Sequence, residues 1–136
     1  MSDNEEQRRN WRTNWLSSLQ EFADDETQRR VWLDATNTNP HFSYVEYVSC
    51  YFDDLGLSDG GYGSAVHQGL VSGAEAQAVA NFHAKADAYN PNDHCDHQAI
   101  LNDPAWLEVV GAAKRAQAAL ASLIEDPRER GLLMQP

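Results

Sequence analysis

The 136-residue chain reads as an all-α protein: a bundle of about four to six helices making one acidic domain over residues 1–136. Three observations predict this. Apolar residues recur at steps of three and four along several stretches. Ser43 with Glu46 and Ser72 with Glu75 have the spacing of capping boxes, and Asp103-Pro104 and Asp126-Pro127 place a proline directly after an N-cap. No convincing pair of strands accompanies them. Hydrophobic residues make up 42% of the chain and include four Trp, which is material for a core without disulfide or metal staples.

The elements follow in order. Residues 4–23 form an amphipathic helix with Trp11, Trp15, Leu19 and Phe22 on one face, and Glu5 and Arg9 paired on its surface. Asp25 is the expected N-cap of a short helix through Val31, Trp32 and Leu33, which stops in the loop 35–40. In 42–55, helix and strand compete. Phe42, Tyr44, Val45, Tyr47, Val48, Tyr51 and Phe52 favour β by type, whereas the Ser43 box, the length and the stop at Gly56 favour a central helix. Helix is the reading adopted. The run Asp59-Gly60-Gly61-Tyr62-Gly63 is a turn-rich loop, with a short helix expected over 65–70. Ser72 opens a helix through Val79, Phe82, His83, Ala86 and Tyr89 that Asn90-Pro91 ends. Asp103-Pro104 opens the longest helix, to about 124. Trp106, Val109, Ala113, Ala116, Leu120 and Leu123 form its apolar stripe, beside a partly buried one of Leu107, Val110, Ala121 and Ile124. Trp11, Trp15, Val48, Phe52, Val79, Phe82, Val109 and Leu120 are expected to share one core.

Charge limits the function. The formal net charge is −11, and residues 31–113 carry eleven acids against Lys85 alone. Such a field repels nucleic acid and anionic membrane and attracts basic partners. Arg8, Arg9 and Arg12 make a small basic edge on the first helix, neutralised by nearby acids. Cys50 and Cys95 are too few for a disulfide scaffold. The polar, acidic start Met1–Glu6 is not a secretory signal, and no apolar run approaches the ~20 residues that span a bilayer. A cytoplasmic setting is expected.

Two constellations have chemical potential. His83 and Asp87 share a helix face, and Asp93-His94-Cys95-Asp96-His97 follows. His83 and Asp87 completed by His94 or His97 would give three ligands with one open position, as catalytic zinc requires. No Cys-x-x-Cys or His-Glu-x-x-His spacing is present, and Asp93 or Asp96 serves equally as a helix cap. No cofactor is therefore expected, with a divalent metal at His83, Asp87, His94 and His97 as the alternative. The second constellation is Glu46, Cys50, Asp53 and Asp54 on one side of the 42–55 helix. Paired carboxylates there suit acid–base work, a hard cation or a cationic partner. They oppose the helix dipole at its C-terminal end, so compensation by the arginine-rich segments is expected. The glycine loop lacks the Gly-x-x-x-x-Gly-Lys pattern, and neither cysteine sits in a nucleophile motif. Tyr47 and Tyr62 are the aromatics expected at the surface.

The preferred reading is an acidic protein-binding module without catalytic activity. Its binding residues are Glu46, Asp53, Asp54, Asp59, Tyr47 and Tyr62, and its partner is a basic protein. In size, charge and fold class such a chain resembles bacterial immunity and antitoxin proteins, which present carboxylates to a basic toxin. Alternatives are a small metal-binding protein or metal-dependent enzyme built on the His83 cluster, and a helical protein whose role is self-association.

Overall fold

Side-chain caps decide where six of the helices begin. The computed structural model describes residues 2–58 and 61–136, and eight α-helices run through them. They are α1 (Ser2–Ala23), α2 (Asp25–Trp32), α3 (Tyr44–Val48), α4 (Tyr62–His67), α5 (Gly73–Ala88), α6 (His97–Asn102), α7 (Pro104–Leu123) and α8 (Pro127–Met134). No strand occurs among the described residues, so the fold is all-α.

The helix count exceeds the four to six expected because short linkers acquire starts of their own. The Asp96 carboxylate accepts from the Ala99 N–H and opens α6. Gly61, at φ 60°, turns the chain into α4 earlier than the expected 65–70. Asp24, not Asp25, caps α2: its carboxylate accepts from both the backbone N–H and the hydroxyl of Thr27. Ser72 and Glu75 complete a reciprocal capping box on α5, whereas Ser43 makes only the half that accepts from Glu46 N–H. Asp103 and Asp126 each cap a helix that starts with proline.

The competing segment 42–55 is helical, with an irregularity that matters. From Ser49 to Asp53 α3 widens into a π turn, and the Asp54 N–H bonds to Ser49 O, five residues back, at 3.0 Å. Gly56, at φ 69°, then reverses the chain. Tyr44, Tyr47 and Tyr51 take the inward face ahead of and within this turn, and Val48 is only half-buried. The expectation of an exposed Tyr47 is corrected on that ground: its spacing from Tyr44 and Tyr51 puts it on the face towards α1 and α2. Tyr62, also expected outside, is buried because its hydroxyl finds partners within the core.

Phe22 is the hub of that core. Its ring meets those of Tyr47, Tyr51, Phe82 and Trp106 at centroid distances of 5.2–6.2 Å, tilted or edge-on. Of the expected core set, Trp15, Phe52, Val79, Phe82, Val109 and Leu120 are buried, while Trp11 and Val48 are partly so. Trp11 instead donates its indole N–H to Leu55 O at 3.1 Å, tying α1 to the end of the π turn. On α7 the second stripe divides. Val110 and Ile124 are buried and Leu107 faces solvent. α7 packs along both α5 and α1, and α8 folds back on α1. The alanines at 112, 113 and 116 are buried and leave room for that approach.

Two polar side chains lock the core. Gln28 is fully buried. Its amide donates to Glu21 O and Phe22 O and accepts from the Trp106 indole at 3.0 Å. Arg12 does not belong to a basic edge on α1: it is 2% exposed and bridges α1 to α5 and α8 through Glu75 and Glu129.

Candidate acidic binding face

The outer side of α3 and the π turn carries Glu46, Asp53 and Asp54, all exposed. None of the three makes an ion pair among the described residues. The compensation expected from the arginines does not occur among the described residues, and most of the cationic side chains are engaged elsewhere. Arg8, Arg29 and Arg130 donate to backbone carbonyls of Gly69, Leu101 and Ile124, and Arg128 donates to the Thr13 hydroxyl. Lys85 pairs with Glu108 and Lys114 with Asp25. Asp59, the fourth expected acid, lies outside the described residues.

Between this element and α1 lies a recess of about 290 Å³. Asn14, Ser17, Ser18 and Glu21, at helical spacing on α1, form one wall, and Cys50, Asp54 and Leu55 form the other. His41 closes it from the loop before α3, where the Asn39 carboxamide accepts its backbone N–H. The His41 ring donates from Nε2 to Glu21 Oε2. Burial drives the Glu21 pKa above its ordinary value, against the lowering effect of His41. Cys50 is pushed up to about 11, first by burial and then by Asp54, Glu21 and Glu46 around it. A thiol held protonated at neutral pH is not a nucleophile, so the Cys50, His41 and Glu21 grouping lacks what cysteine catalysis needs. Only two buried side-chain polar atoms among the described residues lack a hydrogen-bond partner, the Ser18 hydroxyl and Trp32 Nε1. Ser18 is on the wall of the recess.

The histidine cluster is dispersed. His83 and Asp87 share one shallow cavity with Tyr62 and Gly61, and Asp87 and His94 share a neighbouring groove with Asp53 and Phe52. His97 lies apart, its ring tilted at 41° against Trp32 with centroids 5.2 Å apart. Among the described residues no three His, Cys, Asp or Glu side chains are placed to hold a metal ion.

His83 instead ends a hydrogen-bonded chain. Trp15 Nε1 donates to the Tyr62 hydroxyl at 2.8 Å, Tyr62 and Tyr51 hydroxyls meet at 2.6 Å, and Tyr51 meets His83 Nδ1 at 2.9 Å. An indole only donates, which fixes the order. With Tyr62 accepting from Trp15, every proton has an acceptor if Tyr62 donates to Tyr51 and Tyr51 donates to His83 Nδ1. His83 is then neutral, with its proton on Nε2. A protonated His83 would donate at Nδ1, reverse Tyr51, and leave the buried Tyr62 proton without an acceptor. The His83 pKa is lowered accordingly, mainly by burial and against the pull of Asp87.

Sequence reasoning found the acidic half of the recess and missed the other. Asn14, Ser17, Ser18 and Glu21 form a polar stripe at steps of three and four beside the apolar stripe of α1. That stripe was the available signal. His41 gave none. No protein-family model, curated protein or solved structure compared with the chain matches it.

Proposed function

We propose that this protein is an acidic binding module whose α3 face captures a basic protein. The observation that carries this reading is the set of Glu46, Asp53 and Asp54, exposed together and without a cation of their own. Asp53 and Asp54 stand at the C-terminal end of a helix, where each negative charge costs about 0.3–1 kcal/mol against the dipole. Acidity needed for solubility alone has no reason to be concentrated there. A basic partner offsets both the mutual repulsion and the dipole. The partner's identity as a toxin, with this chain as its immunity or antitoxin-like inhibitor, rests on size, charge and the all-α architecture.

The test is capture from the native host's lysate, identification and purification of the retained protein, and kinetics at two ionic strengths. Association should slow as salt rises, because rim charges act mainly on the encounter rate. The Glu46→Gln/Asp53→Asn variant should show a slower, less salt-sensitive association. A retained protein that is not basic, or equal association by the variant, refutes the reading.

A further inference from the structure

We infer that the groove between α3, with its π turn, and α5 seats a basic amphipathic helix of the partner. This rests on the reading of the α3 face as the docking surface, and it names the part of the partner that meets that face. Two aromatic contacts fix the walls. The rings of Tyr44 and Tyr89 meet at 5.8 Å at one end, and those of Phe52 and His83 at 5.3 Å towards the other. The two helical walls therefore run antiparallel along the stretch from Tyr44 to Phe52, a length of about 12 Å or two helical turns. The groove between them has a volume of about 390 Å³.

Its lining is apolar with acids on both sides. Val45 is 45% exposed and Val48 half-buried, and both line the groove with Phe52. Ala86 on the α5 wall fills little of the space. Asp53 stands on one wall and Asp87 on the other, both exposed, and neither makes an ion pair among the described residues. The Ser49 hydroxyl donates to Asp53 Oδ2 at 3.2 Å and holds that carboxylate in place. Lys85, on the same helix as Asp87, is taken by Glu108.

Charge and apolar surface together select the occupant. An acidic or uncharged segment leaves Asp53 and Asp87 without a cation as the groove loses its water, and a wholly polar basic segment leaves Val45 and Val48 uncovered. A helix with an apolar stripe flanked by lysine or arginine meets both needs. Its apolar residues, at steps of three and four, settle on Val45 and Val48, and the long basic side chains lie along the apolar surface and carry their charge to the acids.

The test is an amide NMR titration with a short helical peptide of leucine and lysine. Two control peptides carry glutamate in place of lysine, or glutamine in place of leucine. Saturable shifts confined to residues 44–53 and 83–89 are expected with the leucine–lysine peptide, and both controls should bind more weakly. Val45→Gln should weaken binding about three- to tenfold, by removing part of the apolar contact. Asp87→Asn should weaken it about two- to fivefold at low salt and less at high salt, as the loss of an exposed ion pair does. Both side chains are exposed, so both variants should melt at the parent temperature. Shifts scattered over the surface, a control that binds equally well, or unchanged affinity in either variant overturns the inference. If the peptide fails in the groove while a basic protein is captured in a Glu46- and Asp53-dependent way, the docking face stands and the groove falls. If the peptide binds in the groove and no basic protein is retained, the groove stands as a site for basic helices and the capture reading falls.

Discussion

Replacing Arg12 tests the packing of α1 against α5 and α8 at its most buried ion pairs. Its guanidinium donates from Nε and Nη2 to Glu129 at 2.8 and 3.1 Å, and from Nη1 and Nη2 to Glu75 at 3.0 and 2.8 Å. Nη1 also donates to Leu70 O at 2.9 Å. Burial disfavours this charge, but the hydrogen bonds to Glu75 and Glu129 outweigh it and hold the pKa above its ordinary value. Arg12→Gln leaves two carboxylates, with side chains 9% and 13% exposed, facing each other without a cation. Breaking such a pair costs about 3–5 kcal/mol. That is a large part of the ~5–15 kcal/mol of a whole domain. Urea unfolding should show the loss at pH 7, and the melting temperature should fall by roughly 10–20 °C. The sign with pH is also fixed. In the parent, burial would raise Glu75, yet bonds from Arg12 and Ser72 lower its pKa. Its contribution is therefore present above the ordinary carboxylate value and is lost as pH falls through the folded-state value. Without Arg12, burial acts on Glu75 with its main opposing partner gone, so Glu75 should protonate on mild acidification and stop repelling Glu129, and the deficit should shrink as pH falls. A loss below about 1 kcal/mol at pH 7, or a deficit that grows on acidification, refutes the buried triad.

Trp15→Ala removes a fully buried ring and the donor to Tyr62, and a loss of about 3–5 kcal/mol is expected in chemical denaturation. A loss under half a kcal/mol would place Trp15 outside the core. The ¹⁵N shifts of His83 should report the neutral form with its proton on Nε2, and a proton on Nδ1 would refute the ordering of the tyrosine chain. Because its folded pKa lies below the ordinary value, the stability that His83 contributes should be complete above that value. It should be lost as pH falls through the folded-state pKa, a loss that His83→Gln should remove.

How far the sequence could be read depended on the range of the interaction responsible. Caps act over two or three residues, and the starts at Ser72, Asp103 and Asp126 were legible for that reason. The choice of Asp24 over Asp25 was a matter of one residue between two equivalent side chains. Tyr47 and Tyr62 were misplaced because composition says only that a tyrosine has one polar end. Burial is decided by whether a distant partner takes the hydroxyl or packs the ring, here Trp15 and Trp32. Arg12 was misread for the same reason. Its partners are 63 and 117 residues away, and nothing near it in the sequence distinguishes it from Arg8 or Arg9. Half of the recess was legible, because Cys50 and Asp54 are close in sequence. The Asn14, Ser18 and Glu21 wall joins them only through the fold.

The use made of the arginines connects the interior to the proposed function. A chain with eleven more acids than bases has few cations to place. It spends Arg12 inside, and Arg8, Arg29 and Arg130 on backbone carbonyls that close off helix ends and loops. Those contacts stabilise the fold, and none of the ion pairs among the described residues reaches the α3 face. Two unfavourable features then meet in one place: carboxylates against a helix C-terminus, and Glu21 held beside them in a partly buried recess. In the proposed reading a basic partner relieves both, so binding should raise the unfolding temperature as well as form a complex.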